Sequence, residues 1–381
     1  MGSVIKHSSD GPLRLVVAGG GTGGHIFPAV AIANAIKKRQ PHAQILFVGA
    51  KGKMEMEKVP AAGYEIIGLH MAGFNRSSLI KNWSLPFKLI KSFWQVRSIL
   101  KKMQPHAAIG VGGYSTFPVL KAAQMKGIPT FIHESNSFAG KSNVLLAKGA
   151  TQVFTAIDGM EGFFPAEKIV VTGNPVRAAI KHATDINKTV ALTGFGLLAE
   201  RKTVVVVGGS LGARSINEAV RSGLEALLDA GLQIIWQTGN SDAAVYADAV
   251  KGKKGMWVSP FINNMEAAYA AADVVVARAG AMTVAELAVV QKPAVFVPYP
   301  HAAEDHQTVN AQRLADAGAA LVVKDRDAAA ALVPTLLRLT ADEGKQLELK
   351  KNIARFGISD ADERVATAIL NALNIHTSVT A

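Results

Sequence analysis

The sequence predicts an α/β protein made of two doubly wound parallel-sheet domains facing a cleft. Three observations carry that prediction. Short apolar runs alternate with helical patterns along the chain, as in a parallel sheet covered on both faces. The succession of apolar run, glycine-rich turn and helix occurs near the start, at residues 13–25, and again at 203–213. The length of 381 residues suits two domains at ~150 residues each.

Residues 1–11 read as a loose or tag-like terminus, too short and polar for a signal peptide. An apolar strand at 13–18 runs into five glycines within 19–24, then His25 and a helix to residue 38. Strands follow at 44–48 and 63–69. Across 79–103, Leu85, Leu89, Trp94, Ile99 and Leu100 mix with lysines, and Pro86 bends or starts a helix. Strands at 107–111, 129–133, 152–155 and 169–172, with a helix at 117–126, complete the first half. The first domain is assigned residues 12–172 and the second 173–357, with the polar stretch up to Lys202 as the boundary region. Thr203–Val207 restarts the pattern. A helix is expected from its glycine turn through residue 228. Further strands are expected at 233–237, 257–258, 274–277, 294–297 and 321–323, and helices at 264–272, 284–290, from about 306, 328–339 and 342–355. A last helix at 362–373 places Val365, Ile369 and Leu373 on one face, so 358–381 is expected to pack back on the first domain.

Composition narrows the function. Apolar residues are 49% and charged residues 18% of the chain, enough for a large core. The absence of cysteine excludes disulfides, thiolate catalysis and cysteine-based zinc. No apolar run reaches the ~18–20 residues that span a bilayer. The net charge of +12 calls for an acidic partner. It is concentrated: residues 66–133 contain no Asp or Glu, yet include Arg76, Lys81, Lys88, Lys91, Arg97, Lys101, Lys102, Lys121 and Lys126. No RNA-binding signature and no stacking aromatics beyond Phe93-Trp94 accompany them, so nucleic acid is not the expected partner.

Glycines at 19–24 leave amide N–H groups bare at a helix N-terminus, where orphan donors and the helix dipole favour a phosphate. The simpler reading is a tight strand-to-helix turn. Gly19-x-Gly21-x-x-Gly24 satisfies the dinucleotide fingerprint, but the second strand ends at Gly49 where a ribose-binding acid belongs. Its counterpart in the second half ends at Gln237-Thr238-Gly239, again without an acid. A dehydrogenase is therefore not expected, nor is a P-loop ATPase, since Gly-Lys-Ser/Thr is missing. What remains is phosphate-binding backbone in two domains, which suits a diphosphate-linked donor in one and an acceptor in the other. Glu286 follows Thr283 by one turn, on a helix whose N-terminus at 280–282 suits a diphosphate. A carboxylate there accepts from ribose hydroxyls, unless it is simply a solvated helix glutamate.

Eight ordered motifs carry a specific resemblance. They are Gly20-Gly-Thr-Gly-Gly-His25 with Phe27-Pro28, Gly112-Gly-Tyr114, His133-Glu134-x-Asn136 and Gly173-Asn-Pro-Val-Arg177 in the first part. Gly208-Gly-Ser-Leu-Gly-Ala213, Gly280-Ala-Met-Thr-Val284, Glu286, and His306-Gln307 with Asn310-Ala311 follow. Over about residues 13–373 the chain resembles the MurG family, UDP-N-acetylglucosamine-dependent transferases that act on lipid-linked muramyl-pentapeptide in bacterial cell-wall synthesis. Ser135 stands where that family usually has glutamine, which bears on how Asn136 is held, and Ala279 where it often has serine; neither departure removes a residue assigned chemistry.

The resemblance implies a GT-B fold with the acceptor in the N-terminal domain and the UDP-sugar mainly in the C-terminal one. It implies that Thr22, Gly23, Gly24 and Asn136 reach the sugar donor from the N-terminal side. Arg177 and Ser210 contact the nucleotide portion, Ser210 near the diphosphate, and Ile262 offers backbone groups to uracil. The turn of Ala281, Met282, Thr283, Val284, Ala285 and Glu286 holds diphosphate and ribose, and Gln307 reads GlcNAc hydroxyls. The implied reaction is inverting transfer of GlcNAc to the muramyl 4-hydroxyl, which needs a base and stabilisation of departing UDP. His25 is the candidate base, since the dipole at a helix N-terminus disfavours imidazolium; otherwise it caps the helix or binds acceptor diphosphate. No cofactor or metal is expected. His133, His301 and His306 are expected to be structural or substrate-positioning.

Leu79, Ile80, Trp83, Leu85 and Phe87, interleaved with Arg76, Lys81, Lys88 and Lys91, then read as an interfacial patch for anionic lipid. An amphipathic helix with a solvated basic face is the plainer alternative. The expected partners are UDP-GlcNAc, the lipid-linked acceptor, an anionic membrane surface and other cell-wall and division proteins, at the cytoplasmic face of the bacterial inner membrane. The rival readings are a diacylglycerol glycosyltransferase of the same architecture and a non-catalytic nucleotide-sugar-binding protein.

Overall fold

The computed structural model describes residues 11–70, 85–209 and 211–375, with the backbone alone at 85–90 and 303. The chain divides into two compact units, Met1–Pro175 with Asp360–Ala381, and Val176–Ser359.

The first unit holds a seven-stranded parallel sheet. Its strands are β1 (Arg14–Ala18), β2 (Gln44–Ala50), β3 (Glu65–Leu69), β4 (Ala107–Gly110), β5 (Thr130–Glu134), β6 (Gln152–Thr155) and β7 (Ile169–Val171), in the order β3-β2-β1-β4-β5-β6-β7. Central β1 pairs on both sides, Val16 lying opposite Leu46 of β2 and Ala108 of β4. Period-two alternation sends its residues to two core layers. Leu15 and Val17 pack with Ile26, Ile32 and Ile36 of the helix Gly23–Arg39. Val16 and Ala18 pack with Val96 and Leu100 of the helix Leu85–Met103 and Leu120 of the helix Thr116–Met125. The final helix, Ala361–Ala372, joins the first layer through Val365, Ala366, Ile369 and Leu370. Its Glu363 pairs with Lys38 at 3.1 Å and Arg39 at 2.8 Å.

The second unit repeats the plan with β8 (Thr203–Val207), β9 (Gln233–Gln237), β10 (Met256–Ser259), β11 (Val274–Ala277), β12 (Ala294–Phe296) and β13 (Leu321–Val322), ordered β10-β9-β8-β11-β12-β13. Val204, Val206, Val274 and Val276 face one layer, and Val205, Val275 and Ala277 the other. Both sheets reverse direction of winding next to their first strand, between β1 and β4 and between β8 and β11. The chain leaving the C-terminal ends of such strands is where α/β folds bind ligands.

Boundaries move by one to three residues from expectation at several elements, and two differences go further. The polar stretch up to Lys202 is folded into the second unit. It folds as the helices Ala178–Lys181 and Lys188–Gly194, whose Ile180, Ala191 and Leu192 are buried in the second unit's core. Asn187 caps the latter helix, accepting from Thr189 N–H at 2.9 Å. The single helix expected through residue 228 is two, Arg214–Ser222 and Leu224–Asp229. They part at Gly223, where a Cβ would lie 2.6 Å from Val333 of the helix Ala328–Ala341.

Candidate functional site

In the first unit the β1 turn and the β4 turn meet backbone to backbone. Helix Gly23–Arg39 begins two residues before His25, with Thr22 as an extended N-cap whose side chain makes no capping bond. His25 therefore lies in the first turn, and Thr22 C=O accepts from His25 N–H at 3.1 Å. Gly23 and Gly24 present first-turn N–H groups with no intrahelical acceptor. The His25 ring rests on Gly112, where a Cβ would stand 2.6 Å from its Cδ2. A Cβ on Gly113 would stand 2.3 Å from Gly20 O, and both residues adopt positive φ, so both loops require glycine.

The expectation of an open phosphate cradle over residues 19–24 needs correction. Glu55, 1% exposed at the start of the helix Glu55–Ala61, already fills the base of the loop. Its Oε2 accepts from Gly21 N–H at 2.8 Å and its Oε1 from Ala50 N–H at 2.9 Å. Gly20 and Gly49 make room for it: a Cβ on Gly20 would lie 2.2 Å from Oε1, and on Gly49 2.5 Å from Cγ. With Glu55 on the Gly21 amide, the first-turn donors the loop presents are those of Gly23 and Gly24. The sequence signal was the pairing of Glu55 with buried Val59 one turn on, a carboxylate on an inward face.

At the end of β5 a second buried carboxylate organises the next loop. Glu134 Oε1 accepts from Asn136 N–H at 3.0 Å and Nδ2 at 3.2 Å. Its Oε2 accepts from Gly140 N–H at 3.0 Å and Asn143 Nδ2 at 2.8 Å. Asn136 is thus held by Glu134. Ser135 instead donates to His133 Nδ1 at 3.3 Å, while His133 Nε2 donates to Gly173 O at 3.1 Å. Burial holds the His133 pKa below its ordinary value, so this ring is neutral and structural.

In the second unit Gly280 is the N-cap of the helix Ala281–Val289, which starts three residues earlier than expected. Glu286 is no solvated glutamate: it is buried. Its Oε1 accepts from Arg177 Nε at 3.2 Å and Nη2 at 3.0 Å, and its Oε2 from Tyr269 O–H at 3.1 Å. Burial, then the Glu286 charge, push the Tyr269 phenol well above its usual pKa. Met282 is buried on the same face as Glu286, and Val284 packs on the core, so their side chains face inward. Ala281, Thr283 and Ala285 are partly exposed. The Ile262 side chain is core as well, leaving its backbone groups for recognition.

The 208–213 turn is braced by Gln237, which stands where a dinucleotide site needs an acid. Gln237 Oε1 accepts from Gly208 N–H at 3.1 Å and its Nε2 donates to Gly209 O at 2.9 Å. Ser210 lies outside the described residues. Gln307 Oε1 accepts from Tyr299 N–H at 3.0 Å, which leaves its amide N–H groups as donors. Arg278, which sequence reasoning missed, follows β11 and ties three loops together. It donates to Val297 O at 3.0 Å, Pro298 O at 3.2 Å, Asp325 Oδ1 at 2.5 Å and Ser215 Oγ at 3.1 Å. Its guanidinium also lies 5.5 Å from the Tyr299 ring centroid. Among the described residues no group of three His, Asp or Glu side chains could hold a metal ion.

Leu79, Ile80, Lys81 and Trp83 of the expected membrane patch lie outside the described residues, as do the side chains of Phe87 and Lys88. Lys91 is exposed on the helix Leu85–Met103, and further along it Trp94 is 70% exposed. Phe93, Trp94, Arg97, Ala122 and Met125 line a hollow of about 320 Å³. No helix among the described residues is long and apolar enough to cross a membrane.

Residues 15–155 match the glycosyltransferase family 28 N-terminal domain, and residues 203–365 match the glycosyltransferase family 28 C-terminal domain. The chain belongs to glycosyltransferase family 28. Its curated relatives narrow this to the MurG branch of the family. A Bacteroides fragilis protein named UDP-N-acetylglucosamine--N-acetylmuramyl-(pentapeptide) pyrophosphoryl-undecaprenol N-acetylglucosamine transferase is 48% identical over 96% of this chain and 97% of its own. A Bacteroides thetaiotaomicron protein of the same name is 49% identical over 94% and 97%. Among solved structures, Acinetobacter baumannii MurG superposes with a TM-score of 0.74 at 29% identity, covering 94% of this chain and all of that one. A Neisseria meningitidis UDP-GlcNAc 2-epimerase bound to UDP-GlcNAc gives 0.68 at 14% identity over 94% and 99%, and shares the fold. Two parallel-sheet, Rossmann-like units are the GT-B architecture of this glycosyltransferase family.

Proposed function

We propose that the chain transfers GlcNAc from UDP-GlcNAc to the 4-hydroxyl of undecaprenyl-diphospho-MurNAc-pentapeptide, with inversion, in peptidoglycan synthesis. The observation that carries this is near-full-length identity of almost half to transferases named for that reaction. The two switch-point sites supply a chemistry for it.

On the donor side, the N-terminus of Ala281–Val289 receives the diphosphate, with Ser210 beside it. Glu286, held by Arg177 through Oε1 and by Tyr269 through Oε2, keeps one lone pair on Oε2 for a ribose hydroxyl. Arg177 lies next to the nucleotide, Ile262 backbone groups read uracil, and the Gln307 amide donates to GlcNAc hydroxyls. On the acceptor side, Thr22, Gly23, Gly24 and Asn136 approach the sugar. His25 takes the proton of the 4-hydroxyl as its oxygen bonds to C1 and the bond from C1 to the UDP oxygen breaks, giving the β-linkage. Helix N-termini offset the charge that develops on UDP.

The acceptor's lipid requires a peripheral position at the cytoplasmic face of the plasma membrane. Exposed Trp94 and Met125, which line one hollow with Arg97, and exposed Lys91 and Lys121 support the reading of an anionic-lipid patch to which the sequence adds Leu79, Ile80, Lys81, Trp83, Phe87 and Lys88.

The test is incubation with radiolabelled UDP-GlcNAc and either lipid-linked muramyl-pentapeptide or diacylglycerol. Label moving to the muramyl lipid is expected. Transfer to diacylglycerol alone would replace the acceptor, and UDP-GlcNAc binding without transfer to either would make this a binding protein.

A further inference from the structure

The buried carboxylate of Glu55 and the ring of His25 lie on opposite sides of one peptide group. Gly21 N–H donates to Glu55 Oε2 at 2.8 Å, and Gly20 O, the carbonyl of that same peptide, lies 3.1 Å from His25 Nδ1. A trans peptide points its N–H and C=O in opposite directions, so a group that fixes one fixes the other. Glu55 is itself anchored by Ala50 N–H at 2.9 Å and is 1% exposed. The chain of contacts runs from the end of β2 through the carboxylate and the peptide to the imidazole.

We propose that Glu55 is a positioning residue for His25, acting through the Gly20–Gly21 peptide as the carboxylate of a carboxylate–histidine pair acts by direct contact. The inference rests on the reading of His25 as the base. A carbonyl only accepts, so the Gly20 contact places the ring proton on Nδ1 and leaves the lone pair on Nε2. A carboxylate on the N–H side polarises the peptide and makes its carbonyl a stronger acceptor. That secures the tautomer and raises the basicity of Nε2. The glycines around the relay are dictated by it: Gly20 and Gly49 clear Glu55, Gly113 clears the Gly20 carbonyl, and Gly112 clears the ring. Among the described residues, titratable groups near the ring include those at the ends of β4 and β5. Tyr114 follows Gly113 and is half exposed, neutral His133 is within electrostatic reach of His25, and Glu134 is next to it. The ring's own helix has no acid in its first turn. Glu55 is joined to the ring by the two hydrogen bonds of the Gly20–Gly21 peptide.

The experiment is nitrogen-15 NMR of histidine-labelled protein, with His25 assigned by loss of its signals in His25→Asn. The expected wild-type pattern is a neutral ring protonated on Nδ1; a ring protonated on Nε2 would overturn the proposal without any variant. In Glu55→Gln the ring should become a mixture of tautomers. Its kcat should fall on the order of 100-fold, the scale of losing a group that orients a histidine and fixes its tautomer, with KM for UDP-GlcNAc within about 2-fold. The acid limb of kcat/KM should move to lower pH, because a ring without the relayed charge is a weaker base. Glu55→Asp keeps the charge and should return the acid limb toward wild type. An unchanged tautomer and pH profile in Glu55→Gln would reduce Glu55 to a strut. His25→Ala separates the layers: normal turnover there removes the base reading, whereas an inactive His25→Ala beside an unaffected Glu55→Gln removes the relay alone.

Discussion

Arg177 and Glu286 stand 109 positions apart in sequence, and both guanidinium contacts fall on the same carboxylate oxygen, at 3.2 and 3.0 Å. Tyr269 holds the other oxygen. The carboxylate proposed to read ribose is therefore fixed before any substrate arrives, and its geometry depends on a residue from the start of the second unit.

Replacing Arg177 by Met leaves that buried carboxylate without its cation. The expected result is a rise in KM for UDP-GlcNAc of roughly 10-fold or more, with a smaller change in kcat. Stability should fall by about 2 kcal/mol, below the range for fully buried pairs because the Arg177 side chain is 29% exposed. Steady-state kinetics and a melting curve check both, and an unchanged KM would detach the pair from donor binding.

His133 predicts an acid-sensitive fold. Its folded pKa lies below the ordinary 6.5, so below pH 6.5 the unfolded chain binds a proton that the buried ring refuses. Stability present above that pH is lost on acidification, at up to about 1.4 kcal/mol per pH unit. His133→Gln can still donate to Gly173 and has no such proton. Calorimetry from pH 7.5 to 5 should show a shallower fall in Tm than for wild type; parallel curves would contradict the assignment.

Lys292 follows the same rule in an alkaline window. Burial pushes its pKa down from 10.5 to about 8, with Asp273 opposing and Lys188 and Lys350 adding to the shift. Below pH 8 both states are protonated and the folded state carries the whole cost of the buried charge. Between 8 and 10.5 that cost fades as the folded state sheds its proton. Lys292→Met should therefore stabilise the protein by on the order of 2 kcal/mol at pH 7, with the gain shrinking toward pH 10. A gain independent of pH would point to packing alone.

Membrane attachment is tested on the basic helix. Charge reversal of Lys81, Lys88 and Lys91 together should abolish pelleting with anionic liposomes at low salt. Trp94→Ser should weaken it while leaving soluble-acceptor turnover near normal. Persistence of pelleting in the triple variant would remove the lysines from the interface.

Much of the fold was legible because its signals are local. β-branched runs such as Thr203–Val207, glycine turns and helix periodicity are written in neighbouring residues, and repetition of the strand–glycine–helix plan announces two similar units. The helices before Lys202 are hard to read in the sequence because their buried residues, Ile180, Ala191 and Leu192, are few and widely spaced among polar ones. The break at Gly223 was hidden because its cause, Val333, is remote in sequence.

The sequence by itself determined the two-sheet architecture and the family, since alternating elements and short connections restrict the topology. Only the tertiary structure decided what each polar side chain does. Glu55 carries no mark of a role in the sequence, and it lies beneath the glycine loop. Glu286 had two readings, and it is buried between Arg177 and Tyr269. Ser135 was tied to Asn136 by proximity, and it serves His133. The reason is common to all three. A buried carboxylate or hydroxyl must find donors or acceptors wherever the fold supplies them, and those partners are chosen by three-dimensional neighbours that spacing along the chain does not encode.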